Sequence, residues 1–219
     1  MLPEIIPTIL TKSVEETKSR LDAVIGTVSR VQIDVVDGIF APNKTVSLEA
    51  ISQIETSLDY DVHLMVENPL NWIDKSLLLT ASRLSAQIEA MPSQEDFVVH
   101  VIESGMKVGL ALNLKTGIES LDFQILSALD SILLLAVEAG FSGQPFNDQV
   151  LGKIKKLKEI REKGNFSFKI GVDGGLDKTN IVSVVEAGTD ELAIGSAIYN
   201  QKNPAEAIED LKKLIKNSK

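Results

Sequence analysis

No cysteine occurs among the 219 residues, so disulfides, thiolate nucleophiles and Cys-ligated zinc or iron–sulfur centres are excluded. Histidine is nearly as scarce. His63 and His100 are the only two, too few for any site that needs three imidazoles. Positive charge is short as well: Lys and Arg number 22 against 31 Asp and Glu, a formal net charge of −9 at pH 7. An acidic chain repels phosphate backbones and anionic lipid, so nucleic acid and membrane surfaces are not expected as partners. An anionic ligand would have to be held by local dipoles. No apolar run approaches the roughly 18 residues of a spanning helix, and Met1-Leu2-Pro3-Glu4 lacks the basic stretch and apolar run of a secretory signal. The expected compartment is therefore the cytoplasm. Linkers and low-complexity tracts are missing too, so residues 1–219 read as one domain.

What is present is a rhythm. Hydrophobic residues make up 44% and charged residues 24%, enough to build a core without covalent staples. Short apolar or alternating runs predict strands at Glu4 to Leu10, Arg30 to Val36, Tyr60 to Val66, Ser82 to Glu89, Lys107 to Asn113, Ser131 to Val137, Phe166 to Val172 and Glu191 to Ile194. Between them, amphipathic spacing predicts helices at Ser13 to Ile25, Val46 to Thr56, Pro69 to Thr80, Ser93 to Ser104, Gly117 to Ala128, Asp148 to Lys163, Asp177 to Ala187 and Pro204 to Lys216. Ser13 followed by Glu16 is a capping-box pattern. Eight strand–helix pairs predict a (β/α)8 barrel. An open doubly wound sheet would alternate in the same way, but no Gly-x-Gly-x-x-Gly follows the first strand. Polar residues also gather at strand C-terminal ends all round the chain, where a barrel enzyme works.

Side chains two apart on a strand share a face. Gln32 and Asp34 stand in that relation on the second strand, Asp61 and His63 on the third, and Gln87 and Glu89 on the fourth; the seventh runs into Asp173-Gly174-Gly175. If these pairs face inward, Asp34, His63 and Asp173 converge. Buried acids are costly without partners, so such a group either ligates a cation or holds its pKa values apart for proton transfer. Taken singly each residue has a plainer reading. Asp before Gly is a common turn residue, and a histidine in an apolar strand is commonly a hydrogen-bonded core residue. His100, inside a helical pattern, reads as a surface residue.

Glycine gathers late in the chain. Gly140-Phe141-Ser142-Gly143-Gln144, Gly174-Gly175 and Gly195-Ser196 follow the sixth, seventh and eighth strands. Such turns let backbone N–H groups converge on one point, a helix N-terminus adds dipole charge, and loops after the last two strands are a barrel's usual phosphate cradle. Ordinary tight turns remain the alternative.

Pro7-Thr8-Ile9-Leu10, Asp34-Val35-Val36-Asp37-Gly38, Pro42-Asn43, Asp61-Val62-His63-Leu64-Met65, Gly140-Phe141-Ser142-Gly143-Gln144, Val172-Asp173-Gly174-Gly175 and Gly195-Ser196-Ala197 follow one another over essentially the whole chain. In order and spacing this set resembles the ribulose-phosphate 3-epimerase family. The resemblance implies a (β/α)8 barrel that interconverts D-ribulose 5-phosphate and D-xylulose 5-phosphate through an enediolate. It implies that Asp34 and Asp173 are the acid–base pair and that Thr8 supplies an assisting hydroxyl. Met65 would line the oxyanion region, and a divalent cation (Zn, Mn, Fe or Mg) would be held by two histidines and two aspartates. It also implies a ketose phosphate as the small-molecule partner and a homo-oligomer, since family members form dimers and hexamers.

The departures are specific. Where the family reads His-x-Asp, this chain reads Gln32-Ile33-Asp34, leaving Asp34, His63 and Asp173 with Gln32 in the fourth ligand's place. Gln87 replaces another histidine, Val36 a methionine and Ala139 a proline. A glutamine oxygen suits Mg²⁺ or Mn²⁺ better than zinc. The site then holds a harder or weaker metal, works without one, or has lost the chemistry and kept the phosphate cradle. The leading expectation is a sugar-phosphate 3-epimerase. The alternatives are a non-catalytic phosphosugar-binding barrel, or aldol cleavage or decarboxylation on the same scaffold. A Schiff-base aldolase needs a lysine at a strand end, whereas Lys107 and Lys169 fall at or before the middles of theirs.

Overall fold

Alternation along the strands decides the architecture. In the computed structural model, which describes residues 2–217, eight parallel strands close into a barrel in sequence order. They are β1 Glu4–Ile9, β2 Arg30–Val36, β3 Asp59–Met65, β4 Arg83–Gln87, β5 Lys107–Leu112, β6 Ser131–Leu135, β7 Lys169–Asp173 and β8 Glu191–Ile194. One residue in two points outward and joins the main apolar core: Ile5 and Ile9, Val31, Ile33 and Val35, Val62 and Leu64, Leu110 and Leu112, Ile170 and Val172. The intervening residues point into the barrel, and many are polar yet buried, among them Gln32, Asp34, Asp61, His63, Arg83, Ser85, Gln87, Ser131 and Glu191.

Helices cover the outer face. The first, α1 (Val14–Asp22), starts where Ser13 Oγ accepts from Glu16 N at 3.1 Å, and it buries Leu21. Then come α2 (Leu48–Ile51), α3 (Ile73–Leu77), α4 (Gln94–Glu103), α5 (Gln149–Gly164), α6 (Ile181–Ala187), α7 (Ser196–Tyr199) and α8 (Pro204–Asn217). His100 is exposed on α4, as expected. Among the described residues no helix is long and apolar enough to cross a membrane.

Three expected helices are cut short, split or absent, and Asp177 to Ala187 begins only at Ile181. Val46 to Thr56 yields only α2, and Pro69 to Thr80 splits into a 3-10 turn at Pro69–Trp72 and α3. Gly117 to Ala128 forms no α-helix, only 3-10 turns at Ile118–Ser120 and Leu126–Ala128. There the side chain of Asp122 takes the N–H of Gln124 at 2.9 Å and Gln94 Oε1 takes that of Asp122 at 2.9 Å, so side chains satisfy groups a helix would use. The short α7 was not expected. The fourth strand stops at Gln87; Glu89 falls in a 3-10 turn, where it accepts from Asn113 N at 2.8 Å.

At the N-terminal end the barrel is floored by charge. Asp61 Oδ2 lies 2.8 Å from Arg30 Nη1 and 2.6 Å from Arg83 Nη2, and Glu191 lies 2.7 Å from Arg30 and 2.8 Å from Arg83. Asp61 shares its inward face with His63 but belongs to this floor and not to the mouth.

Candidate active site

Register brings the polar residues of four strands to one level near the mouth. Thr8 is opposite Gln32 across β1 and β2, and Asp34 is opposite His63 across β2 and β3. Asp173 ends β7. Thr8 Oγ1 donates to Asp34 Oδ2 at 2.5 Å, and His63 Nδ1 lies 3.1 Å from Asp34 Oδ1 and 3.8 Å from Asp173 Oδ2. Gln32 Nε2 donates to Asp34 Oδ1 at 2.8 Å and to Asp173 Oδ2 at 2.6 Å. Behind the imidazole, Gln87 Nε2 is 3.0 Å from His63 Nε2.

Burial and proximity set the charges. Loss of water drives the Asp173 carboxyl up to about 7, the Asp34 carboxylate adds to the rise, and His63 and Gln32 oppose it. Burial alone would lower the His63 pKa. The hydrogen bond and charge of Asp34, with Asp173 beyond, outweigh it and hold the ring above its ordinary value. The pair therefore has what acid–base chemistry needs, one carboxyl that keeps its proton near neutrality beside another group with a different environment.

Above the acids one cavity opens. Its wall carries Thr8, Asp34, His63, Met65, Gly140, Phe141, Ser142, Gly143, Asp173, Gly174, Gly175, Gly195 and Ser196. Thus all the expected site residues except Gln32 line a single space; Gln32 lies buried below its wall. The glycine turns are on the same rim as the acids. Gly174 and Gly175 have φ of 108° and 66°, and a Cβ on Gly175 would stand 2.5 Å from Phe146 N, so only glycine fits. The loop after β6 is closed by Gln144, whose Nε2 donates to Glu138 O at 2.7 Å and Phe141 O at 2.9 Å. It is tied across the mouth by Asn43 Nδ2, which donates to Gly140 O at 2.7 Å. Val36 and Met65 pack with Ala41, and Ala139 rests against them. The helix that follows Gly195 is the unexpected four-residue α7, too short to add much dipole charge, so the cradle rests on turn amides.

Sequence reasoning missed Leu10, Arg20, Tyr199 and Asn200 on this wall. Among the described residues Arg20 is the only lysine or arginine on it. Its guanidinium lies 5.1 Å over the Tyr199 ring and 2.6 Å from Glu16 Oε1. Nothing in the helical pattern of α1 marks Arg20, because helix and β8 loop meet only in three dimensions.

Asp34, His63 and Asp173 each offer one atom within 4.8 Å of the others, a group that could hold a divalent cation. Two carboxylates and an imidazole suit the metals expected. The fourth neighbour is turned the other way: Gln32 presents N–H donors where a cation needs an oxygen.

Fold and site define a (β/α)8 barrel with a paired-acid centre beneath a glycine-lined cradle. The chain belongs to the ribulose-phosphate 3 epimerase family, whose family model matches residues 4–199. It is 38% identical over 186 residues to the ribulose-phosphate 3-epimerase of Bacillus subtilis (strain 168), covering 83% of this chain and 85% of that one. To that of Aquifex aeolicus (strain VF5) it is 36% identical over 184 residues, covering 83% and 82%. Among solved structures, KGPDC from Streptococcus mutans matches with a TM-score of 0.75 at 16% identity over 99% of both chains. The 3-hexulose-6-phosphate synthase from Salmonella typhimurium matches with a TM-score of 0.66 at 16% identity over 100% of both. These two likenesses concern the fold alone.

Proposed function

We propose that this chain is a sugar-phosphate 3-epimerase, interconverting D-ribulose 5-phosphate and D-xylulose 5-phosphate. The observation that carries the reading is the convergence of Asp34 and Asp173, from β2 and β7, on one cavity rimmed by glycine turns. One carboxylate takes the proton from C3, next to the carbonyl, leaving an enediolate; the other, protonated, returns a proton to the opposite face of C3. The reverse reaction exchanges their roles. Thr8 orients the Asp34 carboxylate through its hydroxyl. His63, on the same wall and favoured in its charged form, places positive charge beside the developing oxyanion. A divalent cation held by Asp34, His63 and Asp173 would supply that positive charge in place of the imidazolium proton.

Phosphate falls to the turns Gly140–Gly143, Gly174–Gly175 and Gly195–Ser196, with Arg20 at the same wall. In an otherwise acidic chain Arg20 is the one fixed cation that the cavity offers among the described residues. Arg20→Leu is expected to raise KM about tenfold with kcat unchanged, the lower end for a charge-assisted hydrogen bond because Glu16 already shares the guanidinium. Unaltered KM would remove Arg20 from this role.

The pH dependence follows from Asp173. Above about 7 the pair loses its last proton and with it the acid, so kcat/KM should fall about tenfold per pH unit there. The same shift bears on stability. A carboxyl raised from 3.8 to about 7 gives a contribution fully present below its unfolded pKa and lost as pH rises through about 7. A profile flat to pH 9 contradicts the assignment.

The deciding experiment incubates the protein with D-ribulose 5-phosphate in D2O, chelator-treated and with Mn²⁺, Zn²⁺, Fe²⁺ or Mg²⁺ added. Deuterium at C3 of the xylulose product is expected. Saturable binding without exchange under every condition would instead describe a phosphosugar-binding barrel that has lost its chemistry; retention of both acids favours catalysis.

A further inference from the structure

We propose that the side-chain amide of Gln32 is a built-in bridge standing between Asp34 and Asp173 where a cation would, so that hydrogen bonds from the protein hold the acid pair and divalent cations bind only weakly. The inference rests on the epimerase reading for what the pair does; the bridge itself rests on geometry.

A primary amide nitrogen carries two hydrogens. In Gln32 these meet Asp34 Oδ1 at 2.8 Å and Asp173 Oδ2 at 2.6 Å, with Thr8 Oγ1 at 3.3 Å beyond. The two carboxylates belong to strands separated by β8 and β1, and the amide joins them directly. Its orientation is dictated chemically. An amide oxygen in that place would face the Asp34 carboxylate oxygen with no hydrogen between them, and could accept at most the Asp173 carboxyl hydrogen. Gln32 is 3% exposed and lies beneath the cavity, so substrate can enter without displacing it.

The second glutamine completes the arrangement. His63 Nδ1 is the ring nitrogen that faces the acids, and so the one that would ligate a cation. With Gln87 Nε2 donating to His63 Nε2, the ring hydrogen sits on Nδ1 and points at Asp34. Gln87 Oε1, buried without a partner, offers the other arrangement: turned toward the ring, it accepts from Nε2–H of a doubly protonated imidazole, and Nδ1 again carries a hydrogen. Either way the lone pair a metal needs is covered. A cation entering between the acids must turn the Gln32 amide to present Oε1 and also remove the Nδ1 hydrogen.

The test titrates Mn²⁺ into chelator-dialysed wild type and Gln32→His by calorimetry, with retained metal counted after purification without chelator. Wild type is expected to retain well under one equivalent, and Gln32→His to bind at least about tenfold more tightly, the scale on which groups around a metal centre set affinity. Wild type that keeps a full equivalent through dialysis overturns the proposal, as does equal affinity in the two proteins. Should Gln32→His not fold, the wild-type measurement decides alone. Gln32→Leu keeps bulk and removes both donors; in chelator-treated protein it should lower kcat for C3 exchange about tenfold or more while KM stays put. Unchanged kcat, or wild-type exchange that needs added Mn²⁺, counts against the bridge. If no exchange occurs under any condition, the epimerase reading fails while the titration still judges Gln32.

Discussion

Asp173→Asn should bind a ketose phosphate as the parent does yet exchange the C3 proton about 10²- to 10⁴-fold more slowly, the usual cost of losing a positioned proton-transfer group. The substitution preserves size and leaves an amide oxygen to accept from Gln32 Nε2, so little else need move. What disappears is the carboxyl at the site that keeps a proton up to about pH 7. Single-turnover exchange in D2O separates this from a binding defect, since KM should hold while kcat collapses. Asp34→Asn is a less clean experiment. Asp34 also accepts from Thr8 and meets His63 Nδ1, so that variant disturbs three neighbours together. Exchange within tenfold of wild type in Asp173→Asn would end the two-acid mechanism.

The largest effect on stability is expected at the opposite end of the barrel. Arg83→Met takes one of two guanidiniums from the floor and leaves Asp61 and Glu191 with Arg30 alone. Removing one member of a buried charge cluster typically costs about 3–5 kcal/mol, because the partners stay behind uncompensated. That is a large part of the roughly 5–15 kcal/mol by which domains are stable. In a domain of this size, with about 2–4 °C per kcal/mol, Tm should fall by about 6–20 °C. By contrast, Lys18–Asp22 and Lys163–Glu159 are exposed pairs on helix surfaces, and breaking either should change Tm by about a degree or two. Calorimetric melting of the three variants checks the ranking, and a shift below about 2 °C for Arg83→Met would show the floor to be dispensable. Because the floor and the acids occupy different levels, the folded variant should retain its kcat.

Much of this was legible in the residues, and the reason is parity. A strand sends alternate side chains to opposite faces, so the spacing puts Gln32 with Asp34, and Asp61 with His63, on a shared face, and the convergence follows if that face is the interior. Depth was not legible, since parity reports the face and not the level: Asp61 went to the floor while His63 went to the mouth. The glycine turns could be read because Gly174 and Gly175 need backbone angles that other residues resist. Gln32 could be read as standing in a missing ligand's place, with an oxygen that suits a hard cation, but not as a donor to both acids. Its bridging amide depends on where β7 brings Asp173, a contact spanning 141 positions in sequence. Arg20 was invisible for the same reason. The expected helix at Gly117 to Ala128 failed because apolar spacing does not register the backbone contacts of Asp122 and Gln94.

The alternating lining of the strands also has an evolutionary consequence. Positions that anchor the helices and positions that meet the ligand interleave along the same eight segments but hardly touch one another. Near the mouth a deep substitution scan should therefore split by alternate position along each strand, one set lowering yield of folded protein and the other altering turnover at normal yield. Interior positions at the charged floor should instead lower yield. A lineage can thus revise its chemistry one mouth-facing side chain at a time without reopening the question of whether the polypeptide folds.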